Sequence, residues 1–135
     1  MKILPVLVIS IILAGCAWWP KQAAKDGDLL TKHVSANIAV PQAYANLQQG
    51  FRYCGEKYGF PQCKPAEKNG AALCDIYPDK AASEKPDRLL GRIQLSPEPS
   101  GTKAVLRIKK NAPNNEDTLI AWEIFMSGRV REACP

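Results

Sequence analysis

Three observations predict an α+β fold in which one amphipathic helix packs on an antiparallel sheet, in the order β-α-β-β-β-β, with two disulfides. Residues 41–59 carry a helical apolar stripe, and five other segments alternate as strands do. Beyond the N-terminal segment the cysteines number four, an even set. One helix against one antiparallel sheet is the economical way to bury a stripe together with several alternating faces.

The elements follow in chain order. Val34, Ala36, Ile38 and Val40 alternate with smaller or polar residues, a half-buried strand that Pro41 ends. The same proline suits the first position of a helix. In "PQAYANLQQGFRYCGEKYG", Ala43, Leu47, Phe51, Cys54 and Tyr58 recur at helical spacing, and Gly59 and Pro61 supply a stop. Gly50 sits at the edge of that stripe and suggests close contact with the sheet. "FPQCKPAEKNG" reads as a loop. Strands are then predicted at Ala71–Tyr77, Arg88–Ser96, Thr102–Lys110 and Thr118–Ser127, separated by turns rich in Pro, Asn, Asp and Gly. In the last of these Ile120, Trp122, Ile124 and Met126 fall on one side.

The N-terminus is a different kind of sequence. Met1–Lys2 is a short basic start, and residues 3–13, "ILPVLVISIIL", carry no charge and are too few to span a bilayer comfortably. They end in Leu13-Ala14-Gly15-Cys16, which resembles the lipobox of bacterial lipoproteins. That resemblance covers the first 16 residues. It implies removal of residues 1–15, thioether lipidation of Cys16 and a mature chain held on a bilayer by acyl groups (palmitate among them). Residue Ala17 is not the aspartate that retains enteric lipoproteins at the inner membrane, so delivery to the outer membrane, facing the periplasm, is implied. Trp18 and Trp19 then lie beside the acyl chains, where indole favours the headgroup zone. Residues 16–32 read as the lipidated cysteine and its tether, and 33–135 as a single domain.

An even set of cysteines in a small exported domain reads as two disulfides, for which three connectivities exist. Cys54 lies about one turn from the predicted helix end and Cys74 a few residues into the next predicted strand. If that strand runs back over the helix the two meet, which favours Cys54–Cys74 and leaves Cys63–Cys134. The spacings contain no tight pair of the C-x-x-C kind, so no metal site is expected.

Catalytic motifs are absent from the sequence: it has no H-E-x-x-H, G-x-S-x-G or glycine-rich phosphate loop, and no cofactor is implied. His33 is the one histidine, at the start of the first predicted strand. The carboxylates cluster at Asp75–Asp79 and Glu116–Asp117, near predicted turns. Without the leader, 17 basic residues stand against 13 acidic ones, a modest excess with no basic block of the kind that binds nucleic acid. The sheet face turned away from the helix is more informative. With Leu89, Ile93, Leu106 and Ile108 facing the helix, the other side carries Arg88, Leu90, Arg92 and Gln94, then Lys103, Val105, Arg107 and Lys109. The last predicted strand adds Leu119, Ala121, Glu123 and Phe125. Apolar residues interleaved with five cations and a single carboxylate suit an envelope protein or an anionic envelope polymer.

The β-α-β-β-β-β order is also similar to the helix-grip arrangement of some envelope lipoproteins, including domains of an outer-membrane assembly accessory lipoprotein. Together these readings predict a non-enzymatic binding or accessory module of the cell envelope, contacting its partner through Arg88, Leu90, Arg92, Val105, Arg107, Lys109 and Phe125. The alternatives are an enzyme acting on envelope glycans or peptides, or an exported lysozyme inhibitor. For the latter, "MSGR" at residues 126–129 is faintly similar to the Ser-Gly loop of one inhibitor family.

Overall fold

A computed structural model describes residues 28–65 and 70–135. The expected signal peptide, the expected lipidation of Cys16 and the expected placement of Trp18 and Trp19 lie outside the described residues. The fold is α+β. Five antiparallel strands form one sheet: β1 (Leu29–Ala36), β2 (Phe60–Pro65), β3 (Ala72–Tyr77), β4 (Gly91–Glu98) and β5 (Gly101–Lys109). Their spatial order is β1-β5-β4-β3-β2. Helices α1 (Val40–Cys54) and α2 (Asn115–Met126), followed by the short α3 (Val130–Ala133), complete the chain.

α1 forms where the stripe predicts it, burying Val40, Ala43, Leu47, Gly50 and Phe51. Pro41 lies in its first turn, and the amides of Gln42 and Ala43 both donate to the Ala39 carbonyl at 3.0 Å. The helix stops at Cys54 rather than at Gly59, because Gly55 turns the chain with a φ of 64° that a Cβ would resist. Tyr58 lies beyond the helix yet still meets the core's edge: its hydroxyl donates to the Ala133 carbonyl, and its own carbonyl accepts from Trp122 Nε1 at 2.9 Å. Gly50 packs against Phe125 of α2, not against the sheet.

Three sequence expectations are corrected. Residues 118–127 are not a strand: Thr118–Met126 belong to α2 and Ser127 caps its end. α2 buries Leu119, Trp122, Phe125 and Met126 at helical spacing, while Ile120 stays 47% exposed. The stretch predicted as a loop instead supplies β2, paired along its length with β3, so the sheet keeps five strands. β1 opens at Leu29 and ends at Ala36, so residues 29–32 belong to the fold rather than to a tether, while Val40 begins α1.

The disulfides are corrected with them. The bonds are Cys54–Cys134 and Cys63–Cys74, not Cys54–Cys74 and Cys63–Cys134. Once residues 60–65 pair with β3, Cys63 stands directly opposite Cys74, with Cα atoms 4.0 Å apart. Cys54, the last residue of α1, then meets Cys134 on the segment after α3.

Candidate binding face

α1 and α2 pack on one side of the sheet with α3 against them, while the segment carrying Ala82 and Leu89 packs on Tyr77 at the other. Ile93, Leu95, Ala104, Leu106 and Ile108 alternate inward beneath α1 and α2 and form the core with Leu47, Phe51 and Trp122. The Phe51 ring meets that of Phe125 edge-on, with centroids 5.1 Å apart. Because strand side chains alternate, the intervening residues point to the opposite, open face. The β1 edge of the covered side is closed by an ion pair between Lys32 Nζ and Glu123 Oε2 of α2, 2.6 Å apart and partly exposed.

Register sets the open face out in rows. One runs Thr31, Arg107, Arg92, Asp75, Gln62 across the five strands. The next runs His33, Val105, Gln94, Leu73, Lys64. Lys103 and Lys109 lie at either end of the same side of β5. Arg92, Arg107, Lys103, Lys109 and Lys64 thus face Asp75 and Glu98, five cations to two carboxylates.

At the centre Arg92 Nε donates to Asp75 Oδ1 at 2.6 Å, with the arginine side chain 5% and the aspartate 26% exposed. This is a structural pair in the sheet as well as a charged feature of its face. Tyr77 follows Asp75 on the same side and closes a small apolar cluster with Ala82 and Leu89. Its phenol is raised above the ordinary tyrosine value by burial and by the Asp75 carboxylate, with Arg92 acting in the opposite direction.

Of the seven predicted contact residues, Arg92, Val105, Arg107 and Lys109 share the open face. The other three do not join them. Arg88 is exposed on a 3₁₀ turn, Pro86–Arg88, before β4 begins. Leu90 packs against the main core near Gly59, and Leu89, expected to face the helix, joins Tyr77 instead. The strand starts only at Gly91, so an alternation counted back through residues 88–90 assigns their faces wrongly. Phe125 is fully buried on α2, as are its expected neighbours Leu119 and Ala121. Sequence reasoning missed Lys64, which was read as loop, and Leu73, whose predicted strand was not carried onto this face; both complete the Val105 row. Their alternation with Cys63 and Cys74 was the available signal.

His33 stands inside β1 opposite Val105, exposed, rather than at the strand's start. Asp79 accepts from the Ala82 amide at 2.8 Å, and Glu116 and Asp117 occupy the first turn of α2, where carboxylates favour the positive helix end. A groove of about 350 Å³ lies where the end of α1 meets β2, lined by Gln48, Phe51, Arg52, Glu56, Phe60 and Pro61 among others. None of His33, Asp75, Asp79, Glu116, Asp117 or Glu123 lines it. Among the described residues no cluster of three or more His, Cys, Asp or Glu is placed to hold a metal, and no helix is long and apolar enough to cross a membrane. No protein-family model and no curated protein matches the chain.

Proposed function

We propose that the chain is a membrane-anchored lipoprotein of the bacterial envelope, lipidated at Cys16, whose domain is a non-enzymatic binding or accessory module. The open face of the sheet is its contact surface, and its partner is an anionic component of the envelope. One observation carries this reading: α1 and α2 cover one side of the sheet, and the other side, covered over Tyr77 by the segment around Ala82 and Leu89 and open elsewhere, has a net excess of cations around half-buried Val105 and Leu73. Two disulfides in a domain this small accord with an oxidising compartment.

Two measurements test it. Metabolic labelling with an alkyne palmitate should mark the wild-type chain in a Gram-negative host and leave Cys16→Ser unlabelled and soluble. A photo-crosslinking residue at Gln94 should give adducts in cells, whereas one at Ile120, on the helical side, should not. An unlabelled wild-type chain overturns the anchor, and equal crosslinking from the two positions overturns the contact surface.

A further inference from the structure

We infer that the anionic component met by the open face is the headgroup surface of the bilayer to which the chain itself is anchored, so that the sheet lies down on the membrane with α2 turned away. The inference rests on the proposed anchor at Cys16 and names the partner of the same face.

The length and end point of the preceding chain provide the first argument. Only twelve residues, 17–28, separate Cys16 from β1. Twelve residues reach at most about 40 Å even when fully extended. A domain of this size has a radius of gyration of about 13 Å. An anchor on such a leash keeps the domain within roughly its own diameter of the headgroups, at an effective concentration on the order of millimolar. Weak attraction is then enough to set an orientation.

The leash also arrives at the right place. The Asp28 carbonyl accepts from the Lys110 amide at 2.8 Å, and Leu29 pairs with Lys109. The chain therefore joins the fold at the end of β5 that carries Lys109, at a corner of the open face.

Charge distribution decides which side faces down. With the buried Arg92–Asp75 pair set aside, the strands present Lys64, Lys103, Arg107 and Lys109 against Glu98 on the open face. α2, on the opposite side, carries Glu116, Asp117 and Glu123 and no basic residue within Asn115–Met126. That side also carries Arg52 of α1, and Lys32 pairs with Glu123, so its charges are mixed and a negatively charged leaflet favours the open face. Each basic residue near an anionic membrane strengthens binding by about fivefold, and the attraction fades within a Debye length of about 10 Å at 0.1 M salt. Among the described residues the open face's apolar side chains Val105 and Leu73 are half-buried between strands. The association is therefore electrostatic and salt-sensitive.

Vesicle sedimentation tests this with the unlipidated chain, residues 16–135 carrying Cys16→Ser. That chain retains both disulfides and the described strands and helices. It should bind vesicles of phosphatidylcholine with about 30% phosphatidylglycerol in low salt, ignore pure phosphatidylcholine, and be released by 0.5 M NaCl. The double variant Lys103→Glu/Lys109→Glu should lose tenfold or more in affinity with an unchanged circular dichroism spectrum, and Glu116→Gln should bind as the parent does. Binding that is indifferent to anionic lipid, or unchanged in the double variant, overturns the inference. So does tighter binding to soluble polyglutamate than to the anionic vesicles, which would make the partner an acidic polymer. Because this chain has no lipid, failure here is separate from failure of palmitate labelling, which concerns the anchor alone.

Discussion

Gly50 shows at the level of one residue how closely α1 and α2 approach. A Cβ there would run into the Cβ and ring of Phe125. Alanine normally favours a helix over glycine by about 1 kcal/mol, whereas overpacking a core costs about 1–3 kcal/mol. Gly50→Ala should therefore lower stability on balance, by up to about 2 kcal/mol from urea unfolding, and adding Phe125→Leu should recover part of the loss. Tyr77 supplies a second test at this scale. Its folded-state pKa is raised, so the neutral phenol stabilises the fold fully below the unfolded value near 10, and that stability is lost as pH rises through the folded value. As pH is raised above about 10, urea midpoints should fall more steeply for wild type than for Tyr77→Phe. Parallel slopes would show that this phenol does not titrate differently on folding.

Among the elements, α2 and β2 are where local pattern and structure part. In "TLIAWEIFM" apolar residues fall at almost every second position and also at helical spacing, so periodicity alone supports either form. The acidic first turn at Glu116 and Asp117 was the helical signal, and packing against α1 settles the matter. A direct check follows from the two faces. Ile120→Glu should change stability by less than about 0.5 kcal/mol, because that side chain is solvated on α2. Leu119→Glu should prevent folding or cost several kcal/mol, since it forces a carboxylate into the core. A strand at this position would predict the reverse. β2 was hidden for another reason. Pro61 and Pro65 resemble loop punctuation, but both are tolerated on an edge strand, and β2 is the edge next to β3.

Over the described residues, β1 and the C-terminal segment are both held by pairing at long range. β1 lies beside β5, and Cys54–Cys134 closes 80 residues while Cys63–Cys74 closes 11. Loop-closure entropy assigns about 4–5 kcal/mol to the long bridge and about 3 kcal/mol to the short one. Replacing both Cys54 and Cys134 with serine should accordingly lower the urea midpoint more than replacing Cys63 and Cys74. Non-reducing peptide mapping should recover peptides joined 54–134 and 63–74, and a 54–74 link would refute the arrangement. The open face belongs to this scale as well. Val105, Arg107 and Lys109 could be placed by counting along β5, and Arg92 by counting along β4. Its buried pairing with Asp75 could not, because that contact spans two strands.

By itself the sequence determined the α+β class, the stripe of α1 and the alternation of β3, β4 and β5. Each is a periodicity carried by consecutive residues, and consecutive residues share one local geometry. The lipid-anchor reading rests on the first 16 residues in the same way. Only the tertiary structure decided that residues 118–126 coil against α1, that Cys54 meets Cys134, and that Phe125 is core while Lys64 joins the open face. Those outcomes depend on which distant segment supplies the other side of a contact, and no local pattern contains that partner.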